Sequence, residues 1–154
     1  MKFAKKLTQV ATALLLVCGV AFSAPSAMAQ KASPSPSPST TNQSAETILA
    51  DIKTLASKVA EYHQLIREAK QEILQGKMTL QEGVITVELL DTLGSIYVKE
   101  SEGLAVWMKN NLKQTSSRMI SEISAVLDEL NKANQDNRKL LDLVKQKIKS
   151  STPT

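Results

Sequence analysis

No proline interrupts the chain between Ser44 and Pro153, and that stretch holds four glycines: Gly76, Gly83, Gly94 and Gly103. Proline removes a backbone donor and clashes with the preceding turn, so its absence over more than a hundred residues points to helix. The apolar spacing agrees. Ile48, Ile52, Leu55, Val59, Tyr62, Ile66, Ala69 and Ile73 step alternately by four and three, an unbroken heptad seam. Ser44 suits the N-cap of this helix, and Glu46 suits its first turn.

Gly76 supplies a left-handed stop. The following Thr79-Leu80-Gln81-Glu82 matches a capping box, in which hydroxyl and carboxylate each satisfy the other residue's backbone N–H. A stop and a start so close together predict a tight helical hairpin. In the second helix Val84, Ile85, Val87, Leu89, Leu90, Leu93, Ile96, Tyr97 and Val98 leave a narrow polar stripe through Glu88, Asp91, Thr92, Ser95 and Lys99. So wide an apolar surface demands cover on more than one side. A further seam runs through Ile120, Ile123, Leu127, Leu130, Asn134, Asn137, Leu141, Val144 and Ile148.

The expected fold is therefore all-α. Two architectures satisfy the pattern. A turn at Gln114–Ser117 gives an antiparallel three-helix bundle, whereas a bend at Gly103 with continuous helix beyond gives a long coiled-coil helical hairpin that must dimerise. The domain boundaries read as a leader at 1–29, a linker at 30–43, the helical domain at 44–149 and a disordered tail at 150–154.

The leader carries Lys2, Lys5 and Lys6, then an apolar run from Val10 to Phe22, then Pro25 and Ala27-Met28-Ala29. That is the pattern of a secretory signal peptide cleaved after Ala29. The apolar run is too short for a spanning helix, which needs about 20 residues, so no transmembrane span is expected in the mature chain. The expected location is the bacterial periplasm or exterior. A lipoprotein anchored through Cys18 is the minority alternative, and Val17 stands where such signals carry a small residue. Ser33-Pro34-Ser35-Pro36-Ser37-Pro38-Ser39 forbids helix and reads as a disordered linker.

Three of the 19 Lys and Arg residues lie in the leader, leaving 16 against 15 Asp and Glu. A nearly neutral mature chain gives no support to a nucleic-acid partner. Cys18 is the single cysteine, so the mature chain has no disulfide or thiolate chemistry. His63 is the single histidine; Ile66 and Arg67, which follow it at helical spacing, are not metal ligands. Met78, Met108 and Met119 are dispersed, as core-filling residues are. With no phosphate-binding glycine loop or nucleophile elbow either, the expectation is a non-enzymatic protein without cofactor or metal.

Three sets of residues remain as candidates. Val84, Ile85, Leu89, Ile96, Val98 and Trp107 form a candidate interaction surface for a protein partner or self-association. Aligning the first and third helices in parallel, with Ile48 beside Ile120, brings Tyr62 level with Asn134 and Ile66 near Asn137. Tyr62, Asn134 and Asn137 then form a candidate buried polar layer, beside His63, Thr92 and Ser95. Arg138, Lys139, Lys145, Lys147 and Lys149 form a candidate basic tip for peripheral contact with an anionic membrane surface. The preferred function is an exported interaction or structural protein. The alternatives are a periplasmic holdase that binds clients on apolar helix faces, and a bundle that carries an apolar small ligand.

Overall fold

Three long helices follow one another in a computed structural model that describes residues 43–151. They are α1 (Ala45–Leu74), α2 (Leu80–Asn110) and α3 (Ser117–Ser151), with a short 3-10 turn at Leu112–Gln114 before α3. All three pack on one another, so the described fold is an antiparallel three-helix bundle in which α1 and α3 run parallel. The chain leaves helix at Asn111 and re-enters it at Ser117, which rules out the continuous helix of the long-hairpin alternative. The leader, Cys18, the Ser-Pro linker as far as residue 42 and the last three residues lie outside the described residues. Helix α3 continues through Ser150 and Ser151, two positions the sequence had assigned to a tail.

The helix ends follow from local chemistry. Ser44 Oγ accepts from the Thr47 N–H and caps α1. At the other end Gly76 has φ of 67°, which L side chains rarely adopt. The Lys77 N–H donates to the Glu72 carbonyl and the Gly76 N–H to the Ile73 carbonyl, the paired bonds of a Schellman stop. The capping box at α2 is complete: the Thr79 N–H donates to Glu82 Oε2 at 2.8 Å and the Glu82 N–H to Thr79 Oγ1 at 3.2 Å. Asn111 and Thr115 close the far end of α2, donating from their side chains to the Trp107, Met108 and Asn111 carbonyls. Ser116 Oγ then accepts from the Met119 N–H and starts α3.

Every member of the α1 seam, from Ile48 to Ile73, is buried, and Leu65 and His63 join it. On α2 the buried stripe runs through Gly83, Val87, Leu90, Leu93, Gly94 and Tyr97 to Met108. The α3 seam differs from its sequence expectation. Ile123, Leu130, Asn137 and Val144 are buried as expected, but the alternate positions are Met119, Val126, Ala133 and Leu140. Ile120, Leu127 and Ile148 are exposed, and Asn134 and Leu141 are half-buried at the edge. Two overlapping seams share four residues on this helix. The directions of α1 and α2 select the one that includes Ala133, whose small side chain is fully buried.

Substituting Gly76 by Ala should cost about 1 kcal/mol, because open space around the position leaves only the left-handed backbone as penalty. Thermal unfolding should register this as a fall of about 4–8 °C in Tm. An unchanged Tm would show that the αL stop is not needed.

Candidate functional site

The middle of the bundle holds a polar contact that ties the three helices together. The Tyr62 hydroxyl of α1 donates to Asn134 Oδ1 of α3 at 2.8 Å. Gly94 of α2 faces this bond. A Cβ there would lie 2.5 Å from Asn134 Oδ1 and 2.6 Å from the Tyr62 hydroxyl, so glycine is what lets α2 approach. Tyr97 completes the layer, its ring meeting that of Tyr62 edge-on at 5.9 Å. Burial, followed by the nearby Asp91 charge, pushes the Tyr62 phenol well above its ordinary value. Burial and then Glu100 push Tyr97 up to about 12. Both rings therefore stay neutral, and Tyr62 keeps the proton it donates.

Asn137 lies one turn further along α3. It is buried, and its Oδ1 has no hydrogen-bond partner. The three residues of the candidate layer thus take different roles. Tyr62 and Asn134 satisfy one another, while Asn137 is an uncompensated polar group. Thr92 and Ser95, expected nearby, instead face outward and donate to the Glu88 and Asp91 carbonyls of their own helix.

His63 sits beside this layer in a bracket that sequence reasoning did not find. Its Nδ1 contacts Glu129 Oε1, and its Nε2 lies 3.0 Å from Asp136 Oδ2. Glu129 and Asp136 are one heptad apart on α3, so they rise on the same side of the helix, above and below the ring. A neutral imidazole has one N–H; only the imidazolium donates to both carboxylates at once. Arg67 Nη2 lies 3.2 Å from the same Nδ1, and Lys139 Nζ lies 2.9 Å from Asp136 Oδ1. The hydrogen bond from His63 is the main cause holding Glu129 below the usual carboxylate range. For Asp136 the Lys139 bond comes first and His63 second. The missed signal was the seven-residue spacing of Glu129 and Asp136, which becomes informative once α1 is known to run parallel to α3.

The two carboxylates grip opposite nitrogens, so they cannot close with the ring on one ion. Among the described residues no group of three or more His, Cys, Asp or Glu is placed to hold a metal. Met108 and Met119 are core residues, and Met78 Sδ accepts from Thr86.

The candidate interaction surface is divided by the helix. Ile85, Leu89, Ile96 and Trp107 share one side of α2, and Val84 and Val98 lie half-buried on another. Ile85 is 50% exposed and Leu89 40% exposed. Trp107 lines a cleft of about 470 Å³ between α1 and α2, with Ile48, Leu55, Lys58, Glu100 and Leu104. Lys58 spans that cleft to Glu100 at 3.1 Å.

The basic tip is partly committed inside the molecule. Lys147 Nζ donates to the Ile73 carbonyl at 2.9 Å, placing a cation at the C-terminus of α1, whose own last turn has none. Lys139 is held by Asp136. Arg138, Lys145 and Lys149 are exposed along one face of α3 with Asp142 among them. No described helix is long and apolar enough to cross a membrane.

Two measurements check this geometry. Asn137→Leu should raise stability by about 1 kcal/mol by removing an unpaired buried oxygen, while Asn134→Leu should lower it by about 1–3 kcal/mol by stranding the Tyr62 hydroxyl; chemical denaturation resolves the two signs. The folded state holds Glu129 and Asp136 below their unfolded values of 4.5 and 3.8. Their contribution is therefore present above those values and lost as pH falls through the lower folded ones. Glu129→Gln with Asp136→Asn should reduce stability at neutral pH and flatten its decline between about pH 5 and about pH 3. An acid limb as steep as the parent's would exclude the bracket as its source.

Compared with known protein families, curated proteins and solved structures, the chain matches none.

Proposed function

We propose that this is an exported bacterial protein that works without catalysis, by protein–protein interaction through a helical face. The observation that carries the reading is the outward side of α2, where Ile85, Leu89 and Val106 stay exposed although the helix already has two neighbours. Apolar side chains held out of a packed bundle are surface available to a partner. The polar clusters of the bundle have structural uses: Tyr62 and Asn134 satisfy one another, and His63 lies between two carboxylates of α3. Export rests on the leader pattern in residues 1–29, which predicts a mature N-terminus at Gln30.

A holdase is the second reading. Leu112 and Ile120 are also exposed, away from the α2 face, and would give clients further apolar footholds. Suppression of client aggregation without ATP would favour it.

A photo-crosslinking side chain at Leu89, in the protein expressed from the full chain in its cells, should trap a protein adduct. The same probe at Lys132 on exposed α3 should not. No adduct at Leu89, or equal labelling at both positions, would overturn the interaction reading.

A further inference from the structure

A second heptad seam runs along the outside of α2, on the side away from the core. Ile85, Leu89, Thr92, Ile96, Lys99, Gly103 and Val106 step by 4, 3, 4, 3, 4 and 3. All are exposed except the half-buried Ile96. The core stripe of the same helix uses different residues. From Ile85 to Gly103 it is about 27 Å long at 1.5 Å per residue, the length of a coiled-coil contact.

The sequence along this seam fits one occupant. We propose that α2 pairs with α2 of a second copy of this chain, antiparallel about a two-fold axis level with Gly94, making the protein a reversible homodimer. The proposal rests on the interaction reading and names the partner. In that register every seam position from 85 to 103 meets another seam position. Ile85 faces Gly103 of the second copy, Leu89 faces Lys99, and Thr92 faces Ile96, each contact occurring twice. A Cβ on Gly103 would find nothing within 4 Å, so the position offers open space to a side chain from the second copy. The Lys99 stem lies over Leu89, and its ammonium reaches the adjacent Glu88. Glu88 and Lys99 are both exposed. The salt bridges of the described residues leave both of them out. A parallel pair would set Glu88 against Glu88 and Lys99 against Lys99, so charge selects the antiparallel arrangement.

A contact along one helix is small, so the dimer forms and dissociates with concentration. Sedimentation of the protein expressed from the full chain, over about 1 to about 200 µM, should show a monomer–dimer equilibrium. Glu88→Lys and Lys99→Glu should each weaken the dimer about tenfold, since each reverses two symmetry-related pairs. The double variant Glu88→Lys/Lys99→Glu should restore it. Both positions are exposed, and an unchanged Tm for each variant verifies the fold. A monomer at every concentration overturns the dimer, as does a dimer indifferent to these swaps. A monomer that sediments with vesicles of anionic and zwitterionic phospholipid also overturns it, by giving the face to lipid. If the Leu89 crosslinker traps a different protein while sedimentation shows only monomer, the second copy fails and the interaction reading stands.

Discussion

The hydrogen bond from Tyr62 to Asn134, closed over by Gly94, is the contact on which the arrangement of the three helices depends. Heptad seams specify that helices pack but tolerate sliding by whole heptads, because one layer of Ile and Leu resembles the next. A buried phenol and an amide that must meet remove that freedom between α1 and α3. Gly94 extends the constraint to α2, since the bond occupies the space a side chain would take. Polar groups of this kind fix register at the expense of burying something hydrophilic. Here the cost is kept small because donor and acceptor satisfy one another.

The same register sets the interactions around the edge. With Tyr62 level with Asn134, His63 falls between Glu129 and Asp136, and Lys147 reaches the last turn of α1. Across the other interface, Lys58 of α1 meets Glu100 of α2. Partly exposed ion pairs contribute little each. The His63 bracket differs because the ring itself is buried, so its polar nitrogens find their partners in the two carboxylates of α3. Asn137 departs from this pattern, a buried amide oxygen that the same register leaves without a donor.

The bundle consumes one stripe of α2 and leaves another. A helix with two neighbours can bury roughly half its circumference, and α2 carries apolar residues over more than that. The surplus falls on a stripe of its own, with Thr92, Lys99 and Gly103 set among the apolar positions. On the interaction reading proposed above, this stripe is the surface that a second helix would meet.

Much of the architecture is legible in the residues themselves. The α1 seam, the Gly76 stop and the Thr79–Glu82 capping box are local, and each is realised by groups within a turn or two of one another. Heptad counting also sets Tyr62 level with Asn134, once the two helices are taken as parallel. Three things are not local. Whether Gln114–Ser117 turns or continues depends on whether α3 gains more by folding back onto α1. Which of two overlapping seams α3 buries, Met119 and Val126 or Ile120 and Leu127, depends on where α1 and α2 stand, because both seams are apolar. The partners of His63 depend on a helix 66 residues away in sequence. The sequence by itself determined that the chain beyond Ser44 would be helical, and where the first two helices join. Tertiary structure alone decided which residues face inward on the third helix, which cations stay free and which stripe of α2 faces the solvent, because each is a choice between faces of comparable hydrophobicity that only packing against neighbours can make.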